Sequence, residues 1–175
     1  MDPQRMFLSV RPPSPASDVV NRLDRTAGAV RWEDPDHWHI TIRFFPRAPA
    51  DEVIAAIAGL ESLAAPTVVL GPAVAILGKG VVIVPAAGLD GLAAAVDGAT
   101  RRFAAAAGSA NRPYTGHLTL GRLRRGNTTC ALVGQPVRVA FLAHELELVV
   151  STPQAGGGHR HDVVHRWGLP SISAA

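Results

Sequence analysis

Two tetrapeptides, one in each half of the chain, share one make-up: His39-Ile40-Thr41-Ile42 and His117-Leu118-Thr119-Leu120. Each alternates polar with apolar residues, the pattern of a half-buried strand on which positions i and i+2 share a side. Ile40, Ile42, Leu118 and Leu120 then face a core, and each His–Thr pair stands on the opposite face. Two such strands set together surround one small cavity with two imidazoles and two hydroxyls. An unperturbed imidazole titrates near about 6.5, so at neutral pH one histidine can accept a proton while the other donates one. In-line cleavage of a phosphodiester needs that pair, a base for the attacking oxygen and an acid for the departing one. Threonine hydroxyls two residues away can donate to the non-bridging oxygens, where charge gathers in the transition state. Their β-branching leaves few rotamers to order on binding.

Arginines beside both segments extend this reading. Arg43, four residues after His39, shares the His–Thr face of a regular strand. Arg122, five after His117, points away unless Gly121 marks a bulge or the strand's end. Either guanidinium could clamp a phosphate with two parallel hydrogen bonds.

The remaining composition bounds the setting. A chain of 175 residues fits one domain or two closely packed lobes and can bury a core without disulfides or metals. Cys130 is the single cysteine, which excludes an intramolecular disulfide and fits a reducing compartment. The apolar run near the amino terminus, Met6 to Val10, is far shorter than a signal-peptide core or a membrane span. A soluble, cytoplasmic protein is the expectation. The net charge of +3 favours a phosphate-bearing partner, and arginine supplies 16 of the 17 cations, Lys79 being the exception.

The elements that must position the two segments follow from the same periodicities. Arg5–Val10 reads as a first strand, closed by Pro12, Pro13 and Pro15. Ser17 reads as the N-cap of a helix carrying Val19, Val20, Leu23 and Ala27. The first motif strand runs from Trp38 to Phe45, and a helix from Ala50 to about Ala64 follows. Two apolar runs, Val68–Leu77 and Val81–Val84, flank Gly78-Lys79-Gly80 as a hairpin. Leu89 to Ala107 is an alanine-rich helix that Gly108 ends. The second motif strand spans Gly116 to Leu123, Val137–Val150 is strand-like with a break near His144, Gln154–Gly158 reads as a mobile loop, and Asp162–Trp167 makes a short last strand. The order suggests two similar α+β halves within a single unit covering residues 1–175.

The motifs together resemble the 2H phosphoesterase superfamily, and within it the RNA 2',3'-cyclic phosphodiesterase branch, also called 2'-5' RNA ligase. The resemblance is carried by the opening Arg5-Met6-Phe7, by His39-Ile40-Thr41-Ile42-Arg43-Phe44, by Arg112-Pro113-Tyr114 leading into His117-Leu118-Thr119-Leu120-Gly121-Arg122, and by Leu146–Ser151 ahead of Trp167-Gly168-Leu169. It implies a bilobal α+β fold, with two pseudo-symmetric lobes whose antiparallel sheets line a central cleft and whose helices lie outside. It also implies that His39 and His117 share the acid and base roles, with His39 the acid towards the 3' oxygen and His117 the base towards water. Thr41, Thr119 and Arg122 bind phosphate in this picture, and neither a metal nor another cofactor takes part. The partners would be RNA ends or small cyclic-phosphate nucleotides, met by a monomer away from membranes. Gly116 stands where proline is usual in the family, and His161 where tyrosine is frequent. His161, Phe7 and Tyr114 are candidates for the cleft rim.

Two rival readings use other residues. His37 with His39, and His159, His161 and His165, have spacings that could bind zinc. A non-catalytic RNA-end binder would need the arginines and aromatics but not both histidines. Other cyclic nucleotides or 2'-5' oligonucleotides would be cleaved by the same phosphate chemistry.

Overall fold

Period-two alternation draws most of the chain into strands, and the structure, a computed structural model, describes residues 2–26, 28–60, 62–106, 113–155 and 158–171, the side chains of 104–106 excepted. The elements in chain order are β1 (Gln4–Val10), α1 (Ser14–Asn21), β2 (Val30–Trp32), β3 (Ile40–Ala48), α2 (Ala50–Ile57), β4 (Thr67–Leu70), β5 (Ala75–Leu77), β6 (Val81–Ala87), α3 (Asp90–Thr100), β7 (His117–Leu123), β8 (Val139–Leu142), β9 (Glu145–Pro153) and β10 (His159–Gly168). The strands form one antiparallel sheet in the order β10-β9-β1-β3-β7-β6-β4-β8, with β2 alongside β7 and β5 alongside β6. The fold is therefore α+β, as expected, with a seam between β3 and β7 that has β10, β9, β1 and β3 on one side and β7, β6, β4 and β8, together with β2 and β5, on the other.

One register pair makes that seam: Ile40 lies opposite Leu118. Both side chains are fully buried, together with Ile42 and Leu120, in the one hydrophobic cluster that runs under both halves. Burial of an Ile or Leu side chain stabilises the fold by roughly 1.5–3 kcal/mol, so the seam is held by its underside as much as by hydrogen bonds. Helix α3 packs on β3 and on α2, while α1 packs on β8, and all three bury an apolar stripe into that cluster. At the far wall the buried Glu147 carboxylate of β9 accepts from Arg11 at 3.0 Å and from Arg166 at 3.2 Å, tying together the chain after β1, β9 and β10.

Several boundaries differ from the sequence reading. Helix α1 begins at Ser14 rather than after Ser17, because Pro15 suits a first turn whose N–H groups have no helical partner. The Ser17 hydroxyl instead donates to the Pro12 carbonyl at 3.2 Å. Leu23 lies beyond the helix, and Ala27 and Gly108 lie outside the described residues. Helix α2 yields to a 3-10 turn at Ala58–Leu60 instead of reaching Ala64, since Gly59 has poor helical propensity. α3 likewise gives way to a 3-10 segment from Arg101. The run Val68–Leu77 is interrupted at Gly71-Pro72, where proline offers no N–H to a ladder. The hairpin across Gly78-Lys79-Gly80 forms as read, with Leu77 opposite Val81. The break near His144 is also present, and β10 is longer than Asp162–Trp167, extending from His159 to Gly168.

Gly121 is the tightest point of the second motif strand. A Cβ there would sit 2.6 Å from the Arg31 carbonyl oxygen and 2.8 Å from Val30 Cγ1, so only glycine lets β2 lie against β7. Gly121→Ala should therefore destabilise the protein by about 1–3 kcal/mol through overpacking. A lower urea midpoint with an unchanged m-value is the expected result, and an unchanged midpoint would show that β2 is not held by this contact.

Candidate active site

The antiparallel register at Ile40 and Leu118 arranges the four motif side chains crosswise. Counting one residue along each strand from that pair sets His39 level with Thr119 and Thr41 level with His117. The two histidines are diagonal neighbours, a relation that separates Cβ atoms by roughly 7–8 Å or somewhat less. All four side chains are half-buried and line one cleft of about 700 Å³.

Both imidazoles are held in the same way. His39 Nδ1 lies 2.7 Å from the His37 carbonyl oxygen, and His117 Nδ1 lies 2.8 Å from that of Thr115. A carbonyl only accepts, so each Nδ1 carries a hydrogen and donates it two residues back along its own strand. Each neutral ring thus leaves a lone pair on Nε2. The arrangement gives two proton-transfer atoms with the tautomer of each ring set by its own backbone.

A β-bulge follows each motif at the same place. β1 pairs Ser9 with Thr41 and Leu8 with Arg43, so Ile42 is the extra residue; β6 pairs Ile83 with Thr119 and Val82 with Gly121, so Leu120 is the extra residue. Each bulge reverses which side chains face the cleft. In β7 the reversal brings Arg122 into the cleft, through the bulge that Gly121 suggested in the sequence. In β3 it turns Arg43 away, contrary to the expectation from a regular strand. Arg43 is ion-paired with Asp97 of α3 behind the sheet, and Phe44 takes its place in the cleft. Phe44 is 40% exposed with the Arg5 guanidinium 4.9 Å above its ring. Counting from the histidines, Phe44 and Arg122 occupy equivalent positions, which makes one end of the cleft aromatic and the other cationic. The sequence signal for Phe44 was present only as the bulge that Ile42 and Arg43 do not announce.

The remaining candidates divide. Phe7 and His161 line the cleft, as does His37. Phe7 is 6% exposed and stacks on the His39 ring at 4.6 Å with an interplanar angle of 20°, while His161 meets both rings edge-on at 5.1 and 5.7 Å. Phe7 therefore steadies His39 and offers little free surface. Tyr114 is not part of the cleft lining; its hydroxyl donates to the Thr41 carbonyl at 3.2 Å, joining the approach to one motif to the backbone of the other. Gly116 fits the same joint, because a Cβ would come within 2.5 Å of the Ala86 carbonyl oxygen and 3.2 Å of the Tyr114 ring. Of the residues with zinc spacings, His37, His39, His159 and His161 line the cleft and His165 does not. A register shift between Val163 and His165 puts His165 against Trp167, 4.4 Å between rings, away from His159 and His161, and no three such ligands cluster among the described residues.

Burial sets the protonation of this corner. Desolvation pulls His39 below the ordinary imidazole value of 6.5; the bond to the His37 carbonyl and the charge of Glu147 oppose it, while Arg11 and His117 add to it. His161 is drawn down to about 4 by burial and by its neighbours His39, His37 and His159, against the pull of Glu33. Both shifts favour the neutral form of the ring.

Residues 10–71 match the family model of LigT-like phosphoesterases, a span that includes the first motif but not the second. Escherichia coli LigT complexed with 3'-AMP has a similar structure, with a TM-score of 0.76 over 96% of this chain and 99% of that one at 25% identity. A protein of Thermus thermophilus shares the fold at TM-score 0.76, 97% and 100% coverage and 19% identity. The ns2 PDE domain of MHV shares it at TM-score 0.59, 83% and 99% coverage and 15% identity. No curated protein sequence matches the chain.

These protonation states can be read directly by histidine NMR. His39 should titrate with a midpoint below 6.5 in the free protein and move upward when inorganic phosphate fills the cleft, because an anion favours imidazolium. Both lowered values also mean that the native state binds fewer protons than the unfolded chain. Stability should accordingly fall as pH drops from about 6.5 towards 4. A free-protein midpoint for His39 above 6.5 would contradict this description.

Proposed function

We propose that the chain is a LigT-like phosphoesterase of the 2H superfamily, a reading supported by its matched segment and its fold, and that it hydrolyses RNA 2',3'-cyclic phosphate ends to 2'-phosphomonoesters without a metal. The observation that carries the reading is the crossed quartet, in which each imidazole donates Nδ1–H to its own strand and keeps Nε2 for the cleft. Such a pair has one use for a cyclic phosphodiester. His117 Nε2 takes a proton from water as its oxygen attacks phosphorus, and His39 Nε2 gives a proton to the 3' oxygen as the P–O3' bond breaks. The phosphate stays on the 2' oxygen.

Burial keeps His39 neutral before substrate arrives, so its proton enters with the phosphate, whose negative charge favours the imidazolium form. Thr41 and Thr119 hydroxyls donate to the non-bridging oxygens, and Arg122 matches the spread of their charge with a planar guanidinium. Phe7, stacked on His39, keeps that ring in position. With an RNA 5' hydroxyl in place of the product's water, the reverse reaction gives weak 2'-5' ligation. No helix among the described residues is long and apolar enough to cross a membrane. The protein is read as a cytoplasmic monomer acting on RNA ends or small cyclic-phosphate nucleotides.

The test is a short RNA ending in 2',3'-cyclic phosphate, incubated with the protein in excess EDTA. The expected product is the 2'-monoester. His39→Ala and His117→Ala should each lower turnover by about 10²–10⁴-fold, the usual contribution of one acid or base, while melting temperatures change little. Turnover retained in both variants would overturn the paired-histidine mechanism, and binding without turnover by the unaltered protein would leave an RNA-end binder. Loss of the unaltered protein's activity in EDTA would overturn the metal-free mechanism.

A further inference from the structure

β2 is three residues long, yet it lays Arg31 directly opposite Arg122 on the edge of β7. Like charges facing each other across neighbouring strands repel, and such pairs are ordinarily avoided. Both guanidiniums are exposed, both line the cleft, and neither has an ion-pair or hydrogen-bond partner among the described residues. Glu33, which also lines the cleft, forms no ion pair with either. The placement is built rather than incidental. The bulge at Leu120 turns Arg122 inward, and the missing Cβ of the next residue, Gly121, admits the Arg31 carbonyl to within 2.6 Å of the Cβ position. Two adjacent residues of β7 therefore seat both cations. Thr41 and Thr119 offer one donor to each of the two non-bridging oxygens of a cyclic phosphate, and the five N–H groups of a guanidinium let Arg122 reach that phosphate and still share a second anion with Arg31. Arg31 is left for a second anion.

We propose that Arg31 and Arg122 form a second phosphate subsite, which takes the phosphate on the 5' oxygen of the nucleotide whose 2',3' end occupies the histidine pair. The proposal rests on the phosphoesterase reading and adds a preference to it. An RNA end carries such a phosphate as the next diester of the chain, and a free nucleotide carries it as a monoester. A nucleoside 2',3'-cyclic monophosphate has neither. Guanidinium is suited to both forms because its fork meets two oxygens of one phosphate.

The experiment uses reaction products, so it needs no turnover. Calorimetric affinities of the full chain would be compared for adenosine 2'-monophosphate, adenosine 2',5'-bisphosphate and adenylyl-(3'→5')-adenosine 2'-monophosphate. Both 5'-substituted ligands should bind about tenfold tighter than the monophosphate at low salt, as one added charge-assisted contact implies. Arg31→Gln should reduce that gain to within about twofold, and Arg31→Lys should keep part of it. A gain confined to the bisphosphate assigns the subsite to free nucleotides, and one confined to the dinucleotide assigns it to chains, provided that Arg31→Gln removes either. Equal affinities in the unaltered protein, or a gain that survives Arg31→Gln, would overturn the subsite whatever the variants' stability. Absence of hydrolysis with the gain intact would instead overturn the proposed reaction and leave the subsite standing.

Discussion

The lateral contact of Ile40 with Leu118 is the constraint on which the rest of the molecule depends. It is the single register pair between β3 and β7, and through it a four-strand half and a six-strand half become one sheet. Because side chains alternate with a period of two, burying this pair forces its neighbours onto the open face. The neighbours are the two histidines and two threonines. A slip of one residue in either strand would turn its histidine and threonine into the interior, so the packing that stabilises the seam also specifies the site. The crosswise pairing of His39 with Thr119 and of Thr41 with His117 follows without further instruction, since antiparallel strands with the same local pattern are related by a local twofold.

Departures from that symmetry give the cleft its direction. The two bulges fall at matching points, after Thr41 and after Thr119, and each presents the fifth residue past its histidine. On one side that residue is Phe44 under Arg5, and on the other it is Arg122 opposite Arg31. The protonation environments differ as well, for His39 is packed against Phe7 and His161 while burial lowers its proton affinity. A twofold scaffold thus carries an aromatic ring beneath a cation at one position and a pair of facing cations at the equivalent one.

The legibility of these features in the sequence tracks the range of the interactions behind them. The motif strands, the Leu77–Val81 hairpin and the break near His144 were readable because alternation and glycine or proline punctuation are local. The inward turn of Arg122 was readable conditionally, since Gly121 could mark a bulge. Arg43 was misplaced for the converse reason: Ile42 and Arg43 look like ordinary strand residues, and the bulge there answers to the register with β1. Phe44 was missed for the same cause. Tyr114 and Phe7 look alike as aromatics in the sequence, and only the packing shows that one secures the Thr41 backbone and the other the His39 ring. Helix ends were read too long where Gly59 and the residues after Thr100 pass into 3-10 turns, since apolar spacing alone does not register a poor helix former such as Gly59.

The central claim is that both Nε2 atoms address one phosphorus from opposite sides. A crystal structure of the protein with a uridine–vanadate complex, a five-coordinate stand-in for the phosphate in flight, tests it most directly. His39 Nε2 and His117 Nε2 should lie within about 3.2 Å of the two apical oxygens, one each, with both Nδ1 bonds to His37 and Thr115 retained. Vanadate held by only one histidine, or both rings on the same side of the metal-oxygen plane, would contradict it.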